Sequence, residues 1–280
     1  MLSAADARVV GPRSRPALLP REQPATRSCA PGTTYASWVS DLEGTRALVT
    51  GATSGLGRAM AEALVRAGAQ VAVTGRDRAR ADAVAAELGD GAAGFALDVR
   101  DPISIRECVD AIGAIDLLVC NAGIGQRTVN PNFLTDPEPF WKAAPDAFGD
   151  VVATKIMGTF LVAREVVPRM LAAGGGRVVV ISMNESTMTR AGFAPYGPSG
   201  AGVEALARVM AADLDGSAVT LNMLLPGGAT ESGMIPEGVP EELRAGLLDP
   251  TVMGPPIVWL ASPAADGVHG ARIVATEFKR

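Results

Sequence analysis

The stretch that decides the fold is Thr50-Gly51-Ala52-Thr53-Ser54-Gly55-Leu56-Gly57, between an apolar run from Arg46 to Val49 and an Ala-rich pattern of helical period. A strand that turns through glycines into a helix can seat a pyrophosphate. The glycines let the backbone turn tightly and approach the ligand, while the helix start offers free N–H groups and the positive end of its dipole. An ordinary glycine-rich loop is the competing reading, but the flanking strand and helix are the context the phosphate mechanism requires.

Outward from that turn, short β-branched runs alternate with long Ala/Leu-rich segments. The runs predict strands at Arg46–Thr50, Gln70–Thr74, Gly94–Leu97, Asp116–Cys120, Gly176–Ser182, Ala218–Leu224 and Ala271–Ala275. Helical patterns lie between them, near Leu56–Ala67, Arg78–Leu88, Ile103–Ala111, Phe148–Leu171, Ser199–Leu214 and Thr251–Leu260. Such alternation predicts an α/β fold: a single Rossmann-type domain over 41–280, with a doubly wound parallel sheet covered on both faces. Ligands then sit at the C-terminal ends of the strands. The Gly-, Pro- and Glu-rich segment from Pro226 to Asp249 reads as a lid over about 228–250, or as a plain surface excursion.

The composition narrows the function. With 280 residues, 48% of them hydrophobic, the chain can bury one large core and carry an extension. It has no uninterrupted apolar run of roughly 18 residues, which argues against a membrane span. Cys29, Cys108 and Cys120 lack paired ligand spacing, so neither a disulfide framework nor a metal site is expected and a reducing cytoplasm is the default. The net charge of −5 argues against nucleic acid as a partner. His269 is the sole histidine, which disfavours His-based triads, and the only lysines are Lys142, Lys155 and Lys279. Residues 1–40 carry five arginines against Asp6 and Glu22, with several prolines and no signal-type apolar segment. They read as a disordered or loosely packed extension, with Tyr35 and Trp38 available to pack back on the domain.

The glycine turn, Asp98 after the third strand and Asn121-Ala122-Gly123 after the fourth resemble the short-chain dehydrogenase/reductase family, as do Tyr196-Gly197-Pro198-Ser199 and Pro226-Gly227. The resemblance covers about residues 42 to 276. It implies that Gly51, Ser54, Gly55, Leu56 and Gly57 line the pyrophosphate and ribose of a nicotinamide dinucleotide. Asp98 and Val99 would hold the adenine, with Asn121 and Gly123 near the nicotinamide. Pro226, Gly227 and either Thr230 or Ser232 would meet the carboxamide. A ribose 2′-phosphate needs a cation at the end of the second strand, whereas a free 2′-hydroxyl pairs with a carboxylate. Gly75 stands where NAD-preferring relatives carry that acid, and Arg76 is the next residue, which points to NADP(H) over NAD(H). Asp77 is the competing carboxylate and a surface partner for Arg76.

The family's catalytic pattern is broken here. Tyr196 is kept as the proton donor or acceptor, but Gly200 stands where the family has Lys, Met183 where it has Ser, and Lys155 where it has Asn. A cation about 5 Å from the phenol, at an effective dielectric near 20, contributes about 3 kcal/mol. Lys155 is the candidate substitute, with its ammonium expected in the space vacated at Gly200; a Lys snorkelling along the helix surface is the alternative. Asn184 or Ser186 is the candidate donor to the substrate oxygen, ahead of Ser182, which should face away from residue 183. Met183 is expected as an apolar wall. Phe193, Trp141, Met183, Met188, Met234 and Ile235 suggest an apolar pocket for a bulky hydrophobic ligand.

The leading expectation is NADP(H)-dependent reduction of a carbonyl, or oxidation of an alcohol, on a fairly hydrophobic small molecule. The alternatives are a non-redox cyclase, isomerase or dehydratase on the same scaffold, or an inactive cofactor-binding homologue. The resemblance implies a homodimer or homotetramer built on the helices Phe148–Leu171 and Ser199–Leu214. In the second of these, Val203, Leu206 and Met210 form a stripe that could equally face the sheet.

Overall fold

The computed structural model describes residues 42–279, and the expected extension over 1–40 lies outside them. The described chain runs β1 (Arg46–Val49), α1 (Gly55–Arg66), β2 (Gln70–Gly75), α2 (Arg78–Leu88), β3 (Ala92–Ala96), α3 (Pro102–Ile112) and β4 (Leu117–Cys120). It continues through α4 (Pro145–Val152), α5 (Gly158–Ala172), β5 (Gly176–Ile181), α6 (Glu185–Met188), α7 (Tyr196–Asp213) and β6 (Val219–Leu225). The short α8 (Glu241–Arg244), then α9 (Gly254–Ala261) and β7 (Arg272–Val274) close it.

All six strand pairings are parallel, in the order β3-β2-β1-β4-β5-β6-β7. The chain winds from β1 outward to β3, then crosses back to lay β4 against the other side of β1. A crevice therefore opens at the C-terminal ends of β1 and β4, where strand order reverses. The glycine turn leaves β1 there, and Asn121 leaves β4.

Period-two alternation splits the core between the two faces. Ala47, Val49, Val179 and Ile181 pack with Met60 and Leu64 of α1 and Ile257 of α9. Leu48, Val178 and Val180 pack with Ile105 of α3, Val166 of α5 and Val203 of α7. Strands buried on both faces read as continuous apolar runs, which is why the sheet is visible in the sequence.

Three expectations change in detail. The single helix expected over Phe148–Leu171 is α4 and α5 joined through one π turn, Ala153–Met157. Helix α7 starts at Tyr196 rather than Ser199, because Pro198 lies in the first turn, where its missing N–H needs no partner. The α7 stripe, left open between an interface and the sheet, divides: Val203 and Met210 pack on the sheet-side core, Leu206 is half-buried outside it, and Ala201, Ala205 and Val209 are exposed.

Candidate active site

Backbone conformation builds the glycine turn. Gly51 and Gly55 have φ of +64° and +54°, a region that side chains disfavour. A Cβ on Gly57 would stand 2.3 Å from the Gly51 carbonyl oxygen, so only glycine lets α1 start this close to the turn. Ser54 caps α1 without a side-chain hydrogen bond, which leaves the first-turn N–H groups available to an anionic ligand. The Asn121 amide donates to the Thr50 and Gly51 carbonyl oxygens at 2.9 and 3.0 Å. Thr50 Oγ1 accepts from the Asn121 and Ala122 N–H groups. Asn121 thus holds the turn's shape.

At the end of β2, a side chain on Gly75 would meet Thr53 Cγ2 at 2.8 Å, so the turn itself crowds the position. Arg76 is exposed and has no ion pair or hydrogen bond among the described residues. Its expected competitor is occupied elsewhere, since Asp77 accepts the Arg80 N–H as the N-cap of α2. Asp98 receives both Nε and Nη2 of Arg100, and that pairing holds its carboxyl below the usual range. Val99 packs its side chain where a Cβ on Gly158 would fall.

Tyr196, the first residue of α7, turns its hydroxyl toward the 228–250 segment and donates to Met234 Sδ at 3.8 Å. Met234 sits over Gly125, where a Cβ would stand 2.8 Å from its Cγ. Burial pushes the phenol's pKa up. Lys155, in the π turn, is 9% exposed with its Nζ over the Tyr196 ring, 5.4 Å from the centroid. This is within cation–π range. Burial lowers its pKa from 10.5 to about 8. A π turn inserts one extra residue into the helical repeat and so rotates the side chains on its C-terminal side; such turns recur at functional positions.

The space at Gly200 corrects one expectation. It is filled by Met183, whose Sδ and Cε each lie 2.5 Å from where a Gly200 Cβ would be. Lys155 therefore reaches the phenol ring without entering that space. The thioether at 183 and the bare backbone at 200 fit each other.

The loop after β5 offers few free donors. Ser182 Oγ donates to Glu204, a buried carboxylate that also takes Arg208 and Arg272. Burial raises the Glu204 pKa, but those hydrogen bonds outweigh it and the carboxyl stays below its ordinary value. Arg272 also donates to the Met183 carbonyl oxygen at 3.0 Å, fixing the loop. The Asn184 amide is spent on the Gly227 carbonyl oxygen at 2.8 Å. Ser186 is exposed on α6. Of the two hydroxyl residues open for the carboxamide side, Ser232 comes against the glycine turn, its Cβ 3.0 Å from a Cβ built on Gly55. Thr230 is buried and donates to the Gly228 carbonyl oxygen. The Pro226 carbonyl oxygen accepts from the Thr276 N–H at 3.3 Å, which ties the end of β6 to the segment after β7. Phe193 is buried next to Tyr196, with ring centroids 6.4 Å apart. Trp141 is 73% exposed and stacks edge-on with Phe140.

Two contributors went unread in the sequence. Gln126 is buried after β4, where its amide donates to the Ala194 carbonyl oxygen and accepts the Tyr196 N–H. Its neighbour Arg127 reaches the 228–250 segment at the Gly233 carbonyl oxygen and Glu237. Neither falls in a periodic pattern, so only the lone polar pair after an apolar strand hinted at them.

The chain matches the short chain dehydrogenase family over residues 45–241. It is 33% identical over 243 residues to the 3-oxoacyl-[acyl-carrier-protein] reductase FabG of Vibrio harveyi, covering 82% of this chain and 95% of that protein. D-threitol dehydrogenase of Mycolicibacterium smegmatis is also 33% identical, over 258 residues covering 83% of this chain and 92% of the relative. Among solved structures, a gluconate 5-dehydrogenase from Burkholderia cenocepacia in complex with NADP and tartrate superposes with a TM-score of 0.73 at 28% identity, covering 86% of this chain and 96% of that one. The protein belongs to the short-chain dehydrogenase/reductase family and is an oxidoreductase of the class that binds nicotinamide cofactors. Among the described residues, no helix is long and apolar enough to cross a membrane.

Proposed function

We propose that the protein is an NADP(H)-dependent reductase of a carbonyl, or dehydrogenase of an alcohol, on a fairly hydrophobic small molecule, with Tyr196 exchanging the proton and Lys155 supplying the charge. The observation that carries this reading is the Lys155 ammonium over the Tyr196 ring. When bound, the nicotinamide supplies or accepts the hydride. Gly51, Ser54, Gly55, Leu56 and Gly57 hold the pyrophosphate and ribose, Asp98 and Val99 border the adenine, and Asn121 and Gly123 carry the nicotinamide end. Pro226, Gly227 and Ser232, with Thr230 beside them, meet the carboxamide side.

The Tyr196 hydroxyl gives its proton to the carbonyl oxygen in reduction and takes one from the alcohol in oxidation. Burial makes the phenolate harder to form. On this reading Lys155, held over the ring, has the role of opposing that when protonated. Asn184 fixes the Gly227 turn, while Ser186, exposed on α6, is the remaining candidate donor to the substrate oxygen. Met183, Met234 and Phe193 give the cleft apolar walls suited to a hydrophobic substrate. The protein works in the cytoplasm as a homodimer or homotetramer.

Preference for the phosphorylated cofactor rests on Arg76, a cation beyond Gly75 with no ion pair among the described residues. Titrating both reduced cofactors into wild type and Arg76→Ser tests it. NADPH should bind wild type about tenfold or more tighter than NADH, and the variant should lose that margin. Equal affinities in the wild type would refute the assignment.

A further inference from the structure

The side-chain donors around the phenol are nearly all committed within the protein. Ser182 is held by Glu204, Asn184 by the Gly227 carbonyl oxygen, Asn121 by the glycine turn and Gln126 by Ala194. Met183 puts a thioether where a hydroxyl would be. Lys155 differs from them: its ammonium has three N–H donors, and among the described residues it meets no hydrogen-bond acceptor or carboxylate. Its side chain is nine-tenths buried. A buried ammonium with no acceptor is costly, and a ligand that brings one offsets the cost.

We propose that Lys155 is a specificity-determining residue that selects carbonyl substrates bearing a second oxygen on the adjoining carbon. The reacting oxygen takes the Tyr196 proton and the second accepts from the Lys155 ammonium. This rests on the reading of Tyr196 as the proton donor. Two oxygens on neighbouring carbons of a ketone can take one donor each, and the two donors lie at the edge and over the face of the same ring. The reacting oxygen displaces the weak sulfur acceptor of Met234 from the phenol. The rest of the ligand lies against Met183, Met234 and Phe193, so the class is an apolar 1,2-diketone or α-hydroxyketone. A site that hydrogen-bonds a substrate oxygen discriminates strongly against the analogue that lacks it.

The test compares benzil with deoxybenzoin, which differ by one carbonyl oxygen, in wild type, Lys155→Met and Lys155→Gln. Benzil is intrinsically the more electrophilic, so the informative quantity is the change in the kcat/KM ratio on substitution. The ratio should fall about tenfold to hundredfold in Lys155→Met and by less in Lys155→Gln, which keeps a donor. An unchanged ratio overturns the proposal and leaves the reductase reading standing. A second readout needs no turnover: amine NMR of the nitrogen-labelled protein, which has only three lysines. With oxidised cofactor bound, the Lys155 signal, assigned by its absence from Lys155→Met, should shift with benzil and not with deoxybenzoin. If neither ketone is reduced but that selective shift appears, the reductase reading fails, and with it the selection of substrates; only the Lys155 contact to the second oxygen stands. Equal shifts, or none, refute it.

Discussion

Lys155 is conspicuous because lysine is scarce in this chain and because it stands where the family places an asparagine. Its direction was not legible, since one residue of π geometry decides which way the neighbouring side chains turn. Met183 was equally opaque. A sequence shows that a serine is missing, but not that the replacement lies across the backbone of Gly200. The charge on Lys155 makes a signed prediction. Its pKa of about 8 keeps it protonated below that pH, so activity should fall as pH rises through 8, and Lys155→Met should lose that limb. The same variant should reduce kcat about tenfold to hundredfold, from the loss of the charge–phenol interaction. Stability should move the other way. Between pH 8 and 10.5 the unfolded chain holds more protons here than the native one, so wild-type stability gains with pH across that window. Below it the full burial penalty stands. Melting curves should therefore place Lys155→Met above wild type at pH 7, by on the order of 1–3 kcal/mol, with the difference shrinking toward pH 10.5.

Among the elements, the glycine turn was legible in position and shape, because φ above zero and a close helix approach leave a direct compositional signature. The helix over 145–172 was legible as a length of periodic sequence, but its π turn was not, since hydrophobic period does not resolve one extra residue. The choice between Thr230 and Ser232 was open for a related reason: nothing local says which lid residue folds back onto a turn nearly two hundred positions earlier. Helix α7 and the loop after β5 are coupled through Met183 and Gly200. Gly200→Lys alone should destabilise by about 1–3 kcal/mol, because its Cβ overlaps the thioether. Paired with Met183→Ser, most of that loss should return, and a double-mutant cycle by denaturant unfolding measures the coupling. Additive effects would show that the two side chains do not share the space.

For the whole molecule, strand order is implied by the alternation of strands and helices together with right-handed crossovers, so the crevice at β1 and β4 was legible early. Assembly was less so. Val203 and Met210 of the α7 stripe pack inward, whereas Phe148, Met157 and Phe160, along α4, the π turn and α5, are 41%, 50% and 42% exposed. That apolar row is the surface on which a dimer would close. Sedimentation should give a dimer or tetramer for wild type and a smaller species for Phe160→Glu; a monomeric wild type would refute the assembly.

Transfer of label from NADPH deuterated at both C4 positions to a carbonyl substrate bears most directly on the central claim that Tyr196 and Lys155 run hydride chemistry without the family's usual lysine and serine. One deuterium should appear on the product carbinol carbon per cofactor oxidised in wild type, with the rate reduced about hundredfold or more in Tyr196→Phe. Product lacking deuterium, or a Tyr196→Phe variant as fast as wild type, would contradict the account.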